Sequence, residues 1–162
     1  MTNVQVRIAT ESDAPLLARF RHELRSSNPV VEIEEEFIER CTAWMQDRLR
    51  TGGSWKCWIA GYEEKMVGNA WAQLIEKIPN PASEAEHFAY VTNFYVREKY
   101  RGRGIGSTLL SAVLEWAKDN DVHTIILWPR ERSKPLYFRH GFSDADELMQ
   151  LTIKSESSIR HD

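Results

Sequence analysis

Apolar and polar positions alternate from the start of the chain: Val4, Val6 and Ile8 are separated by Gln5 and Arg7, the period-two pattern of a strand with one buried face. The period then lengthens. Thr10, Glu11, Ser12 and Asp13 supply capping groups, Pro15 suits a first helical turn, and Leu16, Leu17, Phe20 and Leu24 form an apolar stripe, so a helix is predicted that ends near residues 26–29. A second helix is predicted over 33–49, burying Phe37, Ile38, Cys41, Trp44, Met45 and Leu49 and stopped by Gly52-Gly53. Strands at 55–62 and 66–75, joined by the polar turn Glu63-Glu64-Lys65, make an antiparallel hairpin, and Gly68 within it marks a bulge or a close backbone approach. Residues 77–86 read as a loop around Pro79, Asn80 and Pro81. A fourth strand is predicted over 87–96, a third helix over 104–119 from the spacing of Ile105, Leu109, Val113, Trp116 and Ala117, and a short buried strand over 122–128. Right-handed crossover makes those two strands a parallel pair. Leu148, Met149, Leu151 and Ile153 alternate within 147–154 and predict a last strand; residues 155–162 read as a frayed tail.

Composition changes this picture little. At 162 residues the chain reads as one domain, 1–162, long enough to bury a core without staples. A formal charge of −3 leaves no basic footprint for nucleic acid. The only cysteines, Cys41 and Cys57, fall in a predicted helix and a predicted strand, which argues against a disulfide framework. Residues 1–7 are too polar for a leader peptide and no apolar run approaches ~20 residues, so a soluble cytoplasmic protein without membrane partners is expected. His22, His87, His123, His140 and His161 are scattered, and no metal site is expected.

The chemistry concentrates in Arg101-Gly102-Arg103-Gly104-Ile105-Gly106, between the fourth strand and the third helix. Three alternating glycines let the chain turn sharply and leave several N–H groups uncovered at a helix start. Those amides, the helix dipole and two guanidiniums suit a pyrophosphate. A merely structural turn is the plain alternative. A nucleoside-triphosphate loop would require a lysine before Ser107-Thr108, and a dinucleotide fingerprint would require a different glycine spacing.

The stretch resembles the acetyl-CoA signature of the GNAT superfamily of N-acetyltransferases, [Arg/Gln]-x-x-Gly-x-[Gly/Ala], through Arg101, Gly104 and Gly106, and the match extends from Thr92-Asn93-Phe94-Tyr95-Val96 to Leu109-Leu110. Leu136-Tyr137, with Gly141-Phe142 after it, resembles a second signature of that superfamily, a short helix whose tyrosine protonates the departing CoA thiolate. Residues 4–154 are covered by the resemblance. It implies an α/β (α+β) fold: a central mixed, mostly antiparallel sheet of six to seven strands, flanked by about four helices, with the fourth and fifth strands splayed. The activity it implies is direct transfer of acetyl from acetyl-CoA to a primary amine of a small molecule or peptide. Backbone groups of Phe94, Tyr95 and Val96 would bond the pantetheine and supply an oxyanion donor. Arg101, Gly102, Arg103, Gly104, Ile105, Gly106 and Ser107 would hold the pyrophosphate. Tyr137 would act as general acid beside the sulfur, with Ser133 replacing an asparagine that the pattern places in the loop before the helix; the alternative for Tyr137 is packing against Leu136.

Many members also carry a glutamate in the fourth strand that takes the amine's proton. None stands between His87 and Val96 here, although an amine of pKa ~10.4 must shed a proton to attack. Glu84, Glu86 and His87 precede the strand, and Tyr90 with Asn93 is placed to hold a relay water. For the acceptor, Glu34, Phe37 and Asn93 lie in the regions that the resemblance assigns to its pocket, with 77–86 as a rim. The cluster Glu32, Glu34, Glu35, Glu36 and Glu39 suits a cationic acceptor, or simply a solvated helix start. Trp44, Trp55 and Trp71 suit aromatic pocket walls, or a core. A homodimer paired through a sheet edge or the last strands is the oligomer that the resemblance implies. The competing function is a non-catalytic acyl-CoA-binding or regulatory module on the same fold, which the missing acid permits and the retained tyrosine disfavours.

Overall fold

The computed structural model describes residues 3–26, 34–82 and 87–154. Five strands form one sheet in sequence order: β1 (Val4–Ile8), β2 (Trp55–Tyr62), β3 (Lys65–Glu76), β4 (His87–Val96) and β5 (Val122–Ile126). The first three pairings are antiparallel and β4/β5 is parallel. Four α-helices accompany them: α1 (Ala14–Arg25), α2 (Glu35–Thr51), α3 (Ile105–Asp119) and α4 (Lys134–Arg139).

The three long helices form where their apolar stripes have a sheet face or a neighbouring helix to bury against. A single 3-10 turn at Glu11–Asp13 leads into α1, held by a capping box between Thr10 and Asp13. The buried Leu17, Phe20, Ile38 and Met45 pack with Trp71 and Cys57 on one face of the sheet. On the other, α3 places Ile105, Leu109 and Val113 against Ala70, Ala72, Val91 and Val96. Each such side chain contributes about 1.5–3 kcal/mol on leaving water. β3, covered on both faces, is buried from Val67 to Ala72. Trp55 meets Trp44 and Trp71 edge to face at 5.4 and 6.2 Å, and Trp44 tilts over Trp71 at 6.0 Å, a cluster that runs from the buried Trp71 out to Trp44 on α2, which is 39% exposed.

The close approach expected at Gly68 is real: a Cβ there would lie 2.6 Å from the Tyr95 carbonyl oxygen. Two expectations need correction. The sheet has five strands among the described residues, because 147–154 joins no strand ladder among them; Met149, Leu151 and Ile153 are more than 80% exposed. Alternation alone does not make a strand when no ladder or apolar face receives it. For the same reason β5 is half-exposed and ends at Ile126, short of the buried strand to Trp128 that was expected. The called tail 155–162 lies outside the described residues.

Candidate active site

Two breaks in the sheet's regularity create the site. Pairing between β4 and β5 covers only His87–Tyr90 against Val122–Ile126, so β4 runs on through Val96 with one edge open. Opposite β3, Trp71 pairs with Thr92 and Asn69 with Tyr95, which leaves Asn93 and Phe94 facing one residue: a bulge, with Asn93 at φ +52. A left-handed asparagine in mid-strand is held by buried amides. Asn69 Nδ2 donates to the Asn93 carbonyl (3.1 Å), Asn93 Nδ2 to Asn69 Oδ1 (3.3 Å), Trp71 Nε1 to the same Oδ1 (3.2 Å) and Arg21 Nη1 to Asn93 Oδ1 (3.3 Å). Asn69 is fully buried, and nothing in the sequence singled it out; a lone asparagine inside an apolar strand was the available signal.

The Tyr95 carbonyl faces β3 beside Gly68, whereas the Val96 carbonyl faces away and accepts from Arg101 Nε at 2.9 Å. By strand alternation, the N–H groups of Phe94 and Val96 therefore point to the open edge and that of Tyr95 does not. Tyr95's side chain belongs to the scaffold. Its hydroxyl donates to Glu23 Oε2 (2.9 Å), Glu23 receives Arg97 at 2.8 and 3.1 Å, and burial followed by that carboxylate pushes the phenol up to about 12.

After β4, a 3-10 turn at Glu98–Tyr100 leads to the glycine turn. Gly102 (φ +76) and Gly104 (φ +80) are left-handed with open space where a Cβ would stand, so backbone conformation alone requires glycine. At Gly106 the requirement is steric: a Cβ would meet Leu136 Cδ2 at 3.3 Å and Phe94 Cε1 at 3.6 Å. With Gly104 as N-cap, the first intrahelical bond is Thr108 N–H to the Gly104 carbonyl, leaving the N–H groups of Ile105, Gly106 and Ser107 for a ligand.

Turn and open edge share one cleft of about 280 Å³, lined by Phe94, Tyr95, Val96, Arg101, Gly102, Gly104, Ile105, Gly106, Ser107 and Ser133. Arg103 does not line it: the guanidinium lies 5.3 Å over the Tyr62 ring and donates to that hydroxyl at 3.4 Å. Arg132, Leu136 and Arg139 line it instead. Arg132 is the cation the sequence reading missed, although the run Arg130-Glu131-Arg132 was visible between strand and tyrosine helix. Burial, then the neighbouring Arg101 and Arg130, pull Arg132 below the usual arginine range, a crowding of like charge that an anion relieves.

The cleft's inner end, about 40 Å³, is bounded by Thr92, Asn93, Phe94, Trp128, Arg130, Arg132, Ser133 and Tyr137. Pro135 opens α4, and Gly141 follows it at φ +91, as expected of a residue past a helix end. Tyr137 is buried between the edges of Phe94 (5.9 Å) and Phe142 (5.5 Å), and burial pushes its phenol up to about 12. Its hydroxyl has no protein partner among the described residues. No carboxylate lines either part of the cleft among them.

The remaining expected residues spread out. Tyr90 donates to Thr92 Oγ1 (3.1 Å) and packs on Trp128, on the strand that carries Asn93 but without a bond to it. Glu34 is exposed at the start of α2, and Phe37 packs on His22; neither lines the cleft. Residues 77–82 are exposed and line no part of it either. Glu32, Glu84 and Glu86 lie outside the described residues. A larger cavity, about 620 Å³, runs along the outer edge of β5 and the far side of α4, where neither the turn nor the open edge of β4 reaches.

Known proteins agree with this geometry. Residues 17–142 match the model of the Acetyltransferase (GNAT) family. The chain is 23% identical over 153 residues to a glucosamine 6-phosphate N-acetyltransferase of Trypanosoma brucei brucei, covering 94% of this chain and 98% of that protein. The crystal structure of a predicted acetyltransferase with acetyl-CoA from Clostridium acetobutylicum superposes with a TM-score of 0.74 at 25% identity, over 93% of this chain and 96% of that one. Glucosamine-6-phosphate N-acetyltransferase from Arabidopsis thaliana shares the fold at 14% identity, with a TM-score of 0.69 over 93% and 99% of the two chains. Because the matched span takes in the glycine turn, the open edge of β4 and the tyrosine helix together, the chain belongs to the GNAT family and is an acetyl-CoA-dependent N-acetyltransferase.

Proposed function

We propose that the acceptor is a small primary amine carrying an anionic group, and that Tyr137 is the general acid of the transfer. The observation that carries the reading is that the part of the cleft at the glycine turn and the part at Tyr137 share Phe94, Arg132 and Ser133 as walls, with arginines and, among the described residues, no carboxylate at the inner end. Pyrophosphate binds the amides of 105–107 between Arg101 and Arg132, and the pantetheine lies along the open edge, bonded by Phe94 and Val96. The thioester carbonyl then sits at the bulge, where a backbone N–H stabilises the oxyanion. The amine nitrogen attacks the carbonyl carbon, the C–S bond breaks, the thiolate takes the Tyr137 proton, the amine's proton leaves through water, and the Tyr137 phenolate takes a proton back from water to close the cycle. A phenol at about 12 is fully protonated at working pH, and the same dry surroundings raise the basicity of the thiolate that receives its proton.

With Arg132 given to the pyrophosphate, Arg130, which borders the inner end and also donates to the Leu24 carbonyl (2.9 Å), favours an anion-bearing acceptor over the cationic one that the exposed glutamates suggested. Two of the relatives act on glucosamine 6-phosphate by name, which makes that compound the first acceptor to test. Thiol release from acetyl-CoA is to be measured with glucosamine 6-phosphate, glucosamine and a peptide amine, beside calorimetric binding of acetyl-CoA. Turnover with the phosphorylated amine at least tenfold above the neutral one supports the reading, and equal turnover with both removes the anion-bearing acceptor. The missing carboxylate is the observation favouring a non-catalytic acyl-CoA binder; micromolar acetyl-CoA binding without thiol release to any amine would establish it.

A homodimer belongs to the same reading. β5 has an unpaired outer edge among the described residues, and 147–153 exposes alternating apolar side chains, so a second copy carries the complement of each. Light scattering that gives a monomer at high micromolar concentration would dispose of it.

A further inference from the structure

His140 bridges the tyrosine helix and the phosphate turn, and nothing in the transfer described so far uses it. Its Nδ1 lies 2.9 Å from the Leu136 carbonyl oxygen and its Nε2 lies 3.1 Å from Ser107 Oγ. A carbonyl only accepts, so Nδ1 carries a hydrogen. In the neutral ring Nε2 is then a bare lone pair, and the Ser107 hydroxyl must donate its one proton to it. Ser107 lines the phosphate end of the cleft, beside the amides of Ile105 and Gly106. With its proton turned toward His140, the hydroxyl presents only lone pairs to a phosphate oxygen, which is also an acceptor.

We propose that His140 is a positioning residue for the diphosphate of acetyl-CoA: binding is coupled to protonation of its Nε2. The inference rests on the placement of the pyrophosphate under Proposed function. Once protonated, Nε2–H donates to Ser107 Oγ, and the hydroxyl proton is released to bond a phosphate oxygen. The balance is one proton taken from solvent, one hydrogen bond reversed and one charge-assisted bond gained. Leu136 precedes Tyr137 and packs on Gly106, so the same histidine ties the helix of the general acid to the occupied turn. The titratable and charged groups lining the cavity on the ring's other side are Lys118 of α3, His123 of β5, Lys134 and Tyr137 of α4, and Asp144; Arg139, its chain neighbour, lines the cleft itself.

The probe is acetyl-dephospho-CoA, which keeps the diphosphate and lacks the 3′-phosphate whose own titration would obscure the signal. Its affinity is measured by calorimetry between pH 6 and 8 in buffers of different ionisation enthalpy, for the wild type, Ser107→Ala and His140→Gln. The wild type should take up a fraction of a proton per ligand and bind about tenfold tighter at pH 6 than at pH 8, the equivalent of one charge-assisted hydrogen bond. Ser107→Ala keeps the imidazole and should lose most of that uptake. His140→Gln should bind with no pH dependence. Wild-type binding without proton uptake, or uptake undiminished in Ser107→Ala, overturns the coupling while leaving acetyl-CoA binding intact. Absence of binding by the wild type at every pH overturns the placement of the diphosphate and the coupling with it.

Discussion

Tyr137 and Asn69 represent two kinds of residue at the site, one bordering the cleft, where it is proposed to act on the leaving group, and one holding the frame. Tyr137→Phe removes a proton donor and little volume, so kcat should fall about 10²-fold while acetyl-CoA affinity is unchanged. Loss of affinity instead would mean that the ring's part is packing between Phe94 and Phe142. The raised phenol also sets a pH window. Its neutral form is favoured by folding, so the stability it contributes is complete below the ordinary phenol value of about 10 and is lost as pH rises through about 12. A kcat profile should accordingly show no alkaline limb from Tyr137 below about pH 10. Asn69→Leu keeps the volume but leaves the Trp71 indole N–H and the Asn93 carbonyl without their partner, costing about 2–4 kcal/mol in urea unfolding. Turnover should fall as well, because the left-handed Asn93 loses a buried constraint.

Strands and turns set where those residues stand. The approach of β3 to β4 at Gly68 leaves no room for a methyl group, so Gly68→Ala must displace the Tyr95 carbonyl or the Val96 side chain. Overpacking of this kind costs about 1–3 kcal/mol. Since the displaced segment also carries the N–H groups proposed to bond the pantetheine, acetyl-CoA affinity should drop together with the melting temperature. Gly104→Ala differs: there is open space, and the cost is that of a left-handed alanine, about 1–2 kcal/mol. A stability loss of that size is expected by thermal melting, with weakened acetyl-CoA binding by calorimetry beside it. The two glycines thus separate a packing requirement from a backbone one.

At the scale of the molecule, Arg7 and Asp13 fasten the end of β1 to the start of α1 with two 2.8 Å bonds, and Thr10 N–H adds a third to Asp13. The Arg7 guanidinium holds the Asp13 carboxyl below its usual 3.8, so this stabilisation is complete above that value and lost as pH falls through the lowered one. With Arg7 half-exposed, the pair is worth about 1 kcal/mol. Asp13→Asn should therefore be less stable than wild type at pH 7, with the difference closing as pH falls through the lowered carboxyl value, by urea midpoint. Most of the architecture was already legible in local patterns. Period-two and helical spacing placed four strands, the hairpin and three long helices, because each pattern pairs an apolar face with a surface that exists. The glycine turn was legible for a different reason, since left-handed backbone restricts the residue type, and the short helix of Tyr137 was legible from Pro135 at its start and Gly141 past its end. Local pattern had no access to what depends on neighbours distant in the chain. The alternation of Leu148, Met149, Leu151 and Ile153 gave no sign that nothing among the described residues would receive it. Arg103 and Arg132 look equally suited to a phosphate, and only the position of Tyr62 turns one away while the return of the chain after β5 brings the other in. The chain's own sequence determined its periods and its turn chemistry; which edges meet, which cations share a cleft and which amides hold the bulge were decided by tertiary structure, because those are relations between surfaces that come together only on folding.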